Sequence, residues 1–403
     1  MQHFEHFPKK TKKANIELIR RRTNILQVID TLDIGGSKVV VTNLSKYLYE
    51  RGWNVIVCCT TAGGMLCQDL EQAGIKTIVM NKCSRYDPEL LFGLMKIMKQ
   101  YQINIVHTHT FTGTAWGQVA AKLAGVPVIL MTEHGATFPP EPPLGAQRTI
   151  ARIFLSKFIM DLMITVTEEL KNLVISWDRI NPKKVITVHN GINLKEFQIS
   201  IGQDAKKEQL GIPQDVPIIG IVANLVPIKD HRNLLIAGEK ILKKLPAAQF
   251  LIVGDGELRE ELENLSNEFA ISKNVHFLGK RRDISELLSI MDIAVLCSRH
   301  EGLSLSLLEY MAMSRPIVAT DVGDNRKLLK DGECGLLIPP GDPKVLSQSI
   351  LTLLEDRDLR KKIGAAARTR VKDFTFDVTA SKIEQIYISL IRKKVFGRNR
   401  HGL

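Results

Sequence analysis

Apolar and polar residues follow two alternating patterns along most of this 403-residue chain. Short runs rich in Val, Ile and Leu are each followed by a longer segment, such as 37–50, in which apolar residues recur every three or four positions. The first pattern is typical of buried strands and the second of amphipathic helices. Because strands that alternate with helices form parallel sheets, the chain is predicted to be an α/β protein.

The alternating pattern occurs twice, separated by a stretch rich in Gly, Pro and charged residues. We predict strands at 25–29, 54–59, 76–80, 103–107, 127–132, 163–166 and 185–189, and then at 218–223, 250–254, 275–279, 293–297 and 316–320. Two Rossmann-like, doubly wound parallel sheets are therefore expected, facing each other across an interdomain cleft. The predicted order is a basic N-terminal arm (1–22), a first domain (23–195), a linker (196–216), a second domain (217–375), and a C-terminal helix and basic tail (376–403) expected to pack on the first domain.

Composition narrows the class of protein. The hydrophobic fraction of 44% and the charged fraction of 24% are those of an ordinary globular protein. The six cysteines have neither CxxC pairs nor the spacing of metal ligands, which indicates reduced thiols and a cytoplasmic setting. No apolar run approaches the roughly 20 residues of a membrane span, and the first residues lack the apolar core of a signal peptide. A peripheral position at the cytoplasmic face of a membrane remains compatible with this pattern.

The net charge of +12 attracts anions in general, including nucleic acids, acidic lipids and phosphorylated ligands. Aromatic residues make up only 6% of the chain, and no nucleic-acid-binding motif is present in the sequence. We therefore expect no specific nucleic-acid partner. A basic nucleic-acid-binding protein without catalysis is kept as an alternative on charge alone.

Two glycine-rich turns follow predicted strands and precede predicted helices. In DIGGSK (33–38), Gly35 and Gly36 can bring backbone N–H groups close to a phosphate at a helix N-terminus. In GDGELR (254–259), Arg259 takes the position of the third glycine of a dinucleotide fingerprint, so we expect a nucleotide-contacting loop rather than a nicotinamide site. For DIGGSK, a tight strand-to-helix turn is the simpler interpretation.

Three charged residues lie at or near the predicted carboxyl ends of strands in the second half. Lys229 follows the strand at 218–223 and can reach a diphosphate there. Glu301 follows the strand at 293–297, and Glu309 lies in the second turn of the next predicted helix. Because a carboxylate accepts paired hydrogen bonds from neighbouring hydroxyls, both suit ribose or hexose. Surface positions without function are the alternative for all three.

Histidines mark two predicted strand ends in the first half. His107 and His109 form an HxH pair that suggests metal binding, but we find no third ligand for it in the sequence. For His107 we favour a structural role in which its hydrogen bonds are satisfied. His134, next to Gly135, is better placed as a polar contact to substrate. We predict neither a metal site nor a cofactor.

Taken together, these segments resemble glycosyltransferase family 4, and the resemblance extends from about residue 24 to about residue 380. Five segments occur in the family's order: GGSKVVVTNLSKYLYERGWNV; IVHTHTFTGTAWG with AGVPVILMTEHG; VHNGINLKEF; VANLVPIKDH; and HEGLSLSLLEYMAMSRPIVATDVGDNRKLL. The resemblance implies the GT-B fold and sugar transfer with retained anomeric configuration. It does not identify the substrate.

The resemblance also implies roles at the donor diphosphate. Gly35 and Gly36 would offer backbone N–H groups to it, and Lys229 would bind it through the ammonium group. The backbone around Leu303 and Ser304 would contact the same phosphates.

Further roles concern the sugar, the ribose and the base. Glu301 and His134 would contact the transferred sugar, and Glu309 the ribose hydroxyls. The loop at Arg282 would lie near the base. Asn224 stands where the family often has an arginine, so the donor site would lack one bidentate contact to the diphosphate.

The implied activity is metal-independent transfer from a nucleotide sugar, with UDP the favoured nucleotide, to a saccharide or lipid-linked saccharide in surface-polysaccharide or glycoconjugate synthesis. Residues 148–160 combine basic and apolar side chains, which suits peripheral contact with an anionic membrane. A core-facing helix is the simpler interpretation of that segment. A nucleotide-sugar epimerase or a phosphorylase of related two-domain fold is a further alternative.

Overall fold

A computed structural model describes residues 9–82, 87–135, 153–198 and 201–396. The chain divides into two compact units. The first extends to His189 and resumes at Thr379, and the second is Asn190–Val378. Both are α/β units, as the sequence predicts.

The first unit contains a seven-stranded parallel sheet with the order β3-β2-β1-β4-β5-β6-β7. Its strands are β1 (Asn24–Ile29), β2 (Asn54–Cys59), β3 (Lys76–Val79), β4 (Ile105–His109), β5 (Val128–Glu133), β6 (Leu162–Thr165) and β7 (Val185–Thr187). Its helices are α1 (Lys9–Arg21), α2 (Gly36–Glu50), α3 (Met65–Gln72), α4 (Pro88–Gln100), α5 (Phe111–Ala124), α6 (153–158) and α7 (Glu168–Trp177).

The second unit contains a six-stranded parallel sheet with the order β10-β9-β8-β11-β12-β13. Its strands are β8 (Ile218–Val222), β9 (Gln249–Val253), β10 (Val275–Gly279), β11 (Ile293–Leu296), β12 (Ile317–Thr320) and β13 (Leu336–Ile338). Its helices are α8 (Gln203–Gln209), α9 (His231–Leu242), α10 (Arg259–Glu268), α11 (Ile284–Ile290), α12 (Leu305–Ala312), α13 (Asn325–Leu328), α14 (Pro343–Glu355) and α15 (Arg357–Arg370). Helix α16 (Phe376–Ile391) follows, and from Thr379 onward it belongs to the first unit.

The central strands are buried along almost their whole length because helices cover both faces of a doubly wound sheet. Every residue of β5, β9 and β11 is buried. In the first unit, β1 and β4 pack with α4 and α5 through a cluster that includes Leu26, Val106 and Leu94. These buried layers hold the strand ends, and so the loops that follow them, in fixed positions.

Three segments differ from the prediction. Residues 9–21, expected to be part of a basic arm, form α1, in which Ile19 is buried and Arg20 pairs with Glu384 of α16 at 2.8 Å. Residues 203–209, expected in a linker, form α8, where the buried Lys206 binds Asp283. Strand β13 was not predicted, because three apolar residues are too short a run to identify a strand.

Two further findings concern the thiols and the helices. The described cysteines at 58, 59, 67, 297 and 334 are free, and Cys83 lies outside the described residues. Of the helices in the described part of the chain, none is both long enough and apolar enough to cross a bilayer.

Candidate functional site

Each sheet reverses its strand order once, between β1 and β4 in the first unit and between β8 and β11 in the second. Doubly wound sheets bind ligands beyond the carboxyl ends of the strands at such a reversal. In the first unit, Gly36 opens the helix after β1 and His109 ends β4. In the second, Lys229 follows β8 and Glu301 follows β11. Gly36, Lys229 and Glu301, three of the residues predicted from the sequence, therefore lie where this topology favours ligand binding.

Lys229 and Glu301 are 72 positions apart in the chain and form an ion pair, with Nζ 2.5 Å from Oε1. Ser298 donates a hydrogen bond to the same carboxylate oxygen at 2.7 Å. The Glu301 side chain is only 8% exposed and that of Lys229 is 22% exposed. The lysine therefore compensates the partly desolvated carboxylate, while part of its own side chain remains exposed to solvent.

The loop that carries Lys229 has a constrained backbone and further polar groups. Asp230 adopts a left-handed conformation with φ 50°, and its carboxylate accepts a hydrogen bond from Arg299 at 3.0 Å. Arg232 lies 3.8 Å from Glu261, and both side chains are exposed. Neither ring nitrogen of the buried His231 has a hydrogen-bond partner among the residues that the structure describes, and burial, with a smaller effect of Lys229, lowers its pKa to about 4.

Helix α12 is held tightly against the end of β8. The backbone N–H of Val222 donates to the Tyr310 hydroxyl at 2.7 Å, and the Ser306 hydroxyl donates to the Val222 carbonyl at 2.6 Å. Ser304 caps the N-terminus, where its side-chain oxygen accepts a hydrogen bond from the Leu307 backbone. The free N–H groups of the first turn, next to the buried Leu303 and Ser304, thus lie in a fixed position that suits an anion.

Glu309 lies in the second turn of α12 and is half-buried. Its carboxylate has no hydrogen-bond or ion-pair partner among the described residues. Burial, together with repulsion from Glu196, raises its pKa to about 7. A half-buried carboxylate without a partner is destabilising unless a ligand supplies hydrogen-bond donors.

The remaining predicted residues of the second unit occupy loops. Asn224 is exposed after β8, and Arg282 is exposed between β10 and α11. A Cβ at Gly254 would lie 2.0 Å from the carbonyl oxygen of Ala223, and one at Gly256 would lie 2.4 Å from that of Leu225. The glycines of the GDGELR segment are therefore explained by close packing between the loops that follow β8 and β9, whatever else the segment does.

In the first unit, three buried or half-buried histidines lie next to one another. His107 is bonded at both ring nitrogens, to the Tyr387 hydroxyl at 2.6 Å and the Thr132 hydroxyl at 2.7 Å, which agrees with the structural role favoured for it. Nδ1 of His109 lies 3.2 Å from Nε2 of His134, and Nε2 of His109 lies 2.9 Å from the Gln27 amide oxygen. Burial lowers the pKa of His107 to about 3 and holds that of His109 well below its ordinary value.

His134 follows β5, and burial, together with the nearby charge of Lys38, lowers its pKa to about 4. Lys38 lies in the first turn of α2, two residues after Gly36, so the predicted glycine turn is near His134. Gly35, which precedes that helix, has the extended φ of 169°. The two signals predicted separately in the first unit, the glycine turn and His134, therefore belong to one region.

Sequence reasoning missed Lys38, Gln27 and Tyr387. Lys38 was visible within the DIGGSK segment, whereas Gln27 and Tyr387 are recognisable only from their contacts in the fold. Across the described ranges, no group of three or more His, Cys, Asp and Glu side chains is arranged to hold a metal ion.

Comparison with known families identifies the class of protein to which this fold and site belong. The model of glycosyltransferase family 4 matches residues 34–196, and that of glycosyl transferases group 1 matches residues 202–370. The two matches together cover most of the chain, and the chain belongs to these glycosyltransferases. This membership favours an enzyme of sugar transfer over the epimerase, phosphorylase and non-catalytic alternatives.

Two curated relatives illustrate the range of the family. UDP-Gal:alpha-D-GlcNAc-diphosphoundecaprenol alpha-1,3-galactosyltransferase of Escherichia coli is 28% identical over 326 residues, which are 79% of this chain and 84% of that one. N-acetyl-alpha-D-glucosaminyl L-malate synthase of Bacillus anthracis is 27% identical over 375 residues, covering 91% and 97% of the two chains.

Solved structures share the fold. Anabaena HepE in complex with UDP and glucose superposes with a TM-score of 0.81 at 21% identity, covering 91% of this chain and all of that one. A glycosyltransferase from Rickettsia africae has a TM-score of 0.77 at 22% identity, covering 92% and 99%. With these relatives, the two parallel sheets identify the GT-B fold.

Proposed function

We propose that this glycosyltransferase transfers a sugar from a UDP-sugar to a saccharide or lipid-linked saccharide acceptor, with retention of the anomeric configuration. The main support is the arrangement of Lys229, Glu301 and Glu309 near the reversal of the second sheet. The E. coli relative is named for a UDP-Gal donor and a diphosphoundecaprenol-linked acceptor, and HepE was crystallised with UDP. A role in surface-polysaccharide or glycoconjugate synthesis fits such an acceptor.

In this proposal the donor diphosphate binds beside Lys229 and the N-terminus of α12, formed by Leu303 and Ser304. The ammonium group and the helix N-terminus both favour a doubly charged anion. Gly35 and Gly36 offer further backbone N–H groups at the start of α2. The exposed Asn224 is the neutral contact that replaces an arginine.

The remaining contacts recognise the sugar and the nucleoside. Glu309 accepts hydrogen bonds from the two ribose hydroxyls, which supply the donors that its carboxylate lacks. Glu301, shared with Lys229, accepts from hydroxyls of the transferred sugar. His134 contacts the sugar through an imidazole nitrogen, and the loop at Arg282 lies near the base.

The chemical step proposed is a front-face substitution. The bond between the anomeric carbon and the diphosphate oxygen breaks through a short-lived, oxocarbenium-like ion pair, and the acceptor oxygen bonds to the same face. The acceptor proton passes to the departing diphosphate. Lys229 and the α12 N-terminus stabilise the charge that develops there, so no metal ion is needed. An absolute requirement for Mn²⁺ would contradict this part of the proposal.

Thermal stability in the presence of nucleotides tests the donor assignment. A ligand that binds only the folded state adds RT ln(1 + [L]/Kd), or about 2.7 kcal/mol at about 100 times Kd. We expect UDP to raise Tm and to do so more than ADP or GDP at equal concentration. If no nucleoside diphosphate raised Tm, the donor site would be misplaced.

For the acceptor, we propose peripheral contact of the first unit with an anionic membrane. Of the predicted segment 148–160, residues 148–152 lie outside the described residues. Within the described part, Phe154 and Phe158 of α6 are each more than half exposed, with ring centroids 5.1 Å apart, and Lys157 lies beside the second ring. Phe92 of α4 and Leu123 of α5 are similarly exposed, with lysines nearby in sequence. Exposed apolar side chains next to basic ones are typical of interfacial binding.

Vesicle flotation tests this contact. We expect the protein to float with vesicles that contain phosphatidylglycerol and to bind them about tenfold less when Phe154 and Phe158 are both replaced by serine. Replacement of Trp177, an exposed aromatic residue on α7, by serine is the matched control. Equal flotation of the wild type with neutral and anionic vesicles would remove the electrostatic part of the proposal.

A further inference from the structure

A continuous chain of hydrogen bonds runs through the interior of the first unit from His134 to Thr132. His134 contacts His109 at 3.2 Å, and His109 contacts the Gln27 amide oxygen at 2.9 Å. The Gln27 amide nitrogen donates to the Tyr387 hydroxyl at 3.2 Å. The Tyr387 hydroxyl then contacts Nδ1 of His107 at 2.6 Å, and Nε2 of His107 contacts the Thr132 hydroxyl at 2.7 Å.

The direction of donation follows from the amide orientation of Gln27. Its oxygen can only accept, so Nε2 of His109 carries the proton and donates to it. Nδ1 of His109 must then accept, and the proton on that contact belongs to Nε2 of His134. In the other direction, Tyr387 accepts from Gln27 and donates to Nδ1 of His107, whose Nε2–H donates to Thr132. Each link requires a neutral imidazole.

One ring nitrogen in this chain is left over. Nδ1 of His134 is buried and has no partner in the described part of the protein. By the direction of donation it carries a lone pair rather than a proton. An unpartnered buried acceptor is costly, so a group that donates to it would be bound favourably.

We propose that Gln27 and Tyr387 are positioning residues that, through His109, hold His134 as the Nε2–H tautomer, so that Nδ1 accepts a hydrogen bond from a hydroxyl of a saccharide ligand. The identity of the ligand rests on the proposed function, whereas the tautomer does not. The direction of donation is thus set by helix α16, which carries Tyr387, 280 positions after His107 in the sequence.

A hydrogen-bonded core without a functional consequence would need the same contacts, but the direction of donation along them would not matter. If the Gln27 amide were turned over, every link would reverse, and Nδ1 of His134 would be a donor instead. The tautomer of His134 therefore separates the two cases. A ligand hydroxyl can donate to an unprotonated Nδ1 or accept from a protonated one, so ligand binding alone would not distinguish the two tautomers.

The test is ¹⁵N–¹H correlation spectroscopy of the full chain labelled with ¹⁵N-histidine, with the His134 signal assigned from its loss in His134→Gln. We expect the wild type to show the Nε2–H tautomer. Tyr387→Phe keeps the ring that packs on Trp53 and His107 but removes the hydroxyl that orients Gln27, so we expect a mixture of tautomers. Ile383→Val, a buried change in the same helix outside the chain of hydrogen bonds, should leave the tautomer unchanged.

A second readout connects the tautomer to turnover. We expect Tyr387→Phe to lower kcat/KM for the nucleotide-sugar donor about tenfold, the effect of one weakened hydrogen bond, and Ile383→Val to leave it within about twofold. An Nδ1–H tautomer in the wild type, or an unchanged tautomer in Tyr387→Phe, would overturn the proposal. Because the spectra need no substrate, this outcome is independent of whether the donor assignment is correct.

Discussion

Replacing Lys229 with alanine is expected to weaken the binding of UDP about 10- to 100-fold, the range for losing a hydrogen bond to a charged group. Two effects act in the same direction. The diphosphate loses its ammonium contact, and Glu301 keeps a negative charge, only 8% exposed, with Ser298 as its remaining partner. An unneutralised carboxylate at this position also repels the incoming diphosphate. Isothermal titration calorimetry with UDP measures the change.

The matched control is Lys240→Ala, which removes the same charge from the exposed last turn of the following helix, α9. We expect its UDP affinity to remain within about twofold of the wild type, because salt largely screens the charge of an exposed side chain that does not contact the ligand. If both variants lost affinity equally, the effect would come from net charge, and the assignment of Lys229 to the diphosphate would be wrong.

Glu309→Gln is expected to make the protein bind UDP more weakly and yet fold more stably at pH 8. The amide cannot accept paired hydrogen bonds from the two ribose hydroxyls, so we expect an affinity loss of about tenfold. At the same time the substitution removes a half-buried charge that has no partner among the described residues. Few positions outside a binding site would show this opposite pair of effects.

The sign of the stability effect follows from the pKa of Glu309, which is raised to about 7 from its ordinary value of 4.5. Below about pH 4.5 the carboxyl is protonated in both the folded and unfolded states, and it does not disfavour folding. Between pH 4.5 and 7 the unfolded state loses its proton first, so the free energy of unfolding falls. Above pH 7 the full penalty, about 2 kcal/mol after allowance for partial exposure, is present.

Differential scanning calorimetry at two pH values checks this effect. We expect Glu309→Gln to raise Tm by about 4 °C at pH 8 and by much less at pH 5. Glu355→Gln, which neutralises an exposed glutamate at the end of α14, should leave Tm almost unchanged at both pH values. An equal Tm for Glu309→Gln and the wild type at pH 8 would show that the carboxylate is already stabilised by other groups.

Much of the fold could be predicted because its buried strands have a strong local signature. Strands β2 and β10 have the predicted limits, and most of the others differ by one or two residues. The exceptions depend on contacts distant in sequence. Helix α1 is anchored by Arg20 on Glu384, a contact across 364 positions that no local pattern reveals.

In the candidate site, too, the residues could be predicted from local sequence, whereas their contacts could not. Lys229, Glu301 and Glu309 could be predicted because each lies in a loop or helix directly after a recognisable strand. Their interactions could not: the Lys229–Glu301 pair joins two loops, and the isolation of Glu309 depends on what surrounds α12 in three dimensions. The chain of hydrogen bonds through Gln27 and Tyr387 was equally hidden, since a glutamine within a strand and a tyrosine within a helix have no distinctive spacing.

The central claim is sugar transfer from a UDP-sugar with retention, and the most direct measurement is ¹H NMR of the reaction product. The enzyme is incubated with UDP-galactose or UDP-glucose and a diphosphate-linked N-acetylglucosaminyl lipid, and the anomeric coupling constant of the new linkage is read together with UDP release. We predict an α-linked product from the α-configured donor, formed by the wild type and strongly reduced in Lys229→Ala. A β-linked product would contradict the retaining mechanism, and sugar transfer unaffected by Lys229→Ala would contradict the proposed donor site.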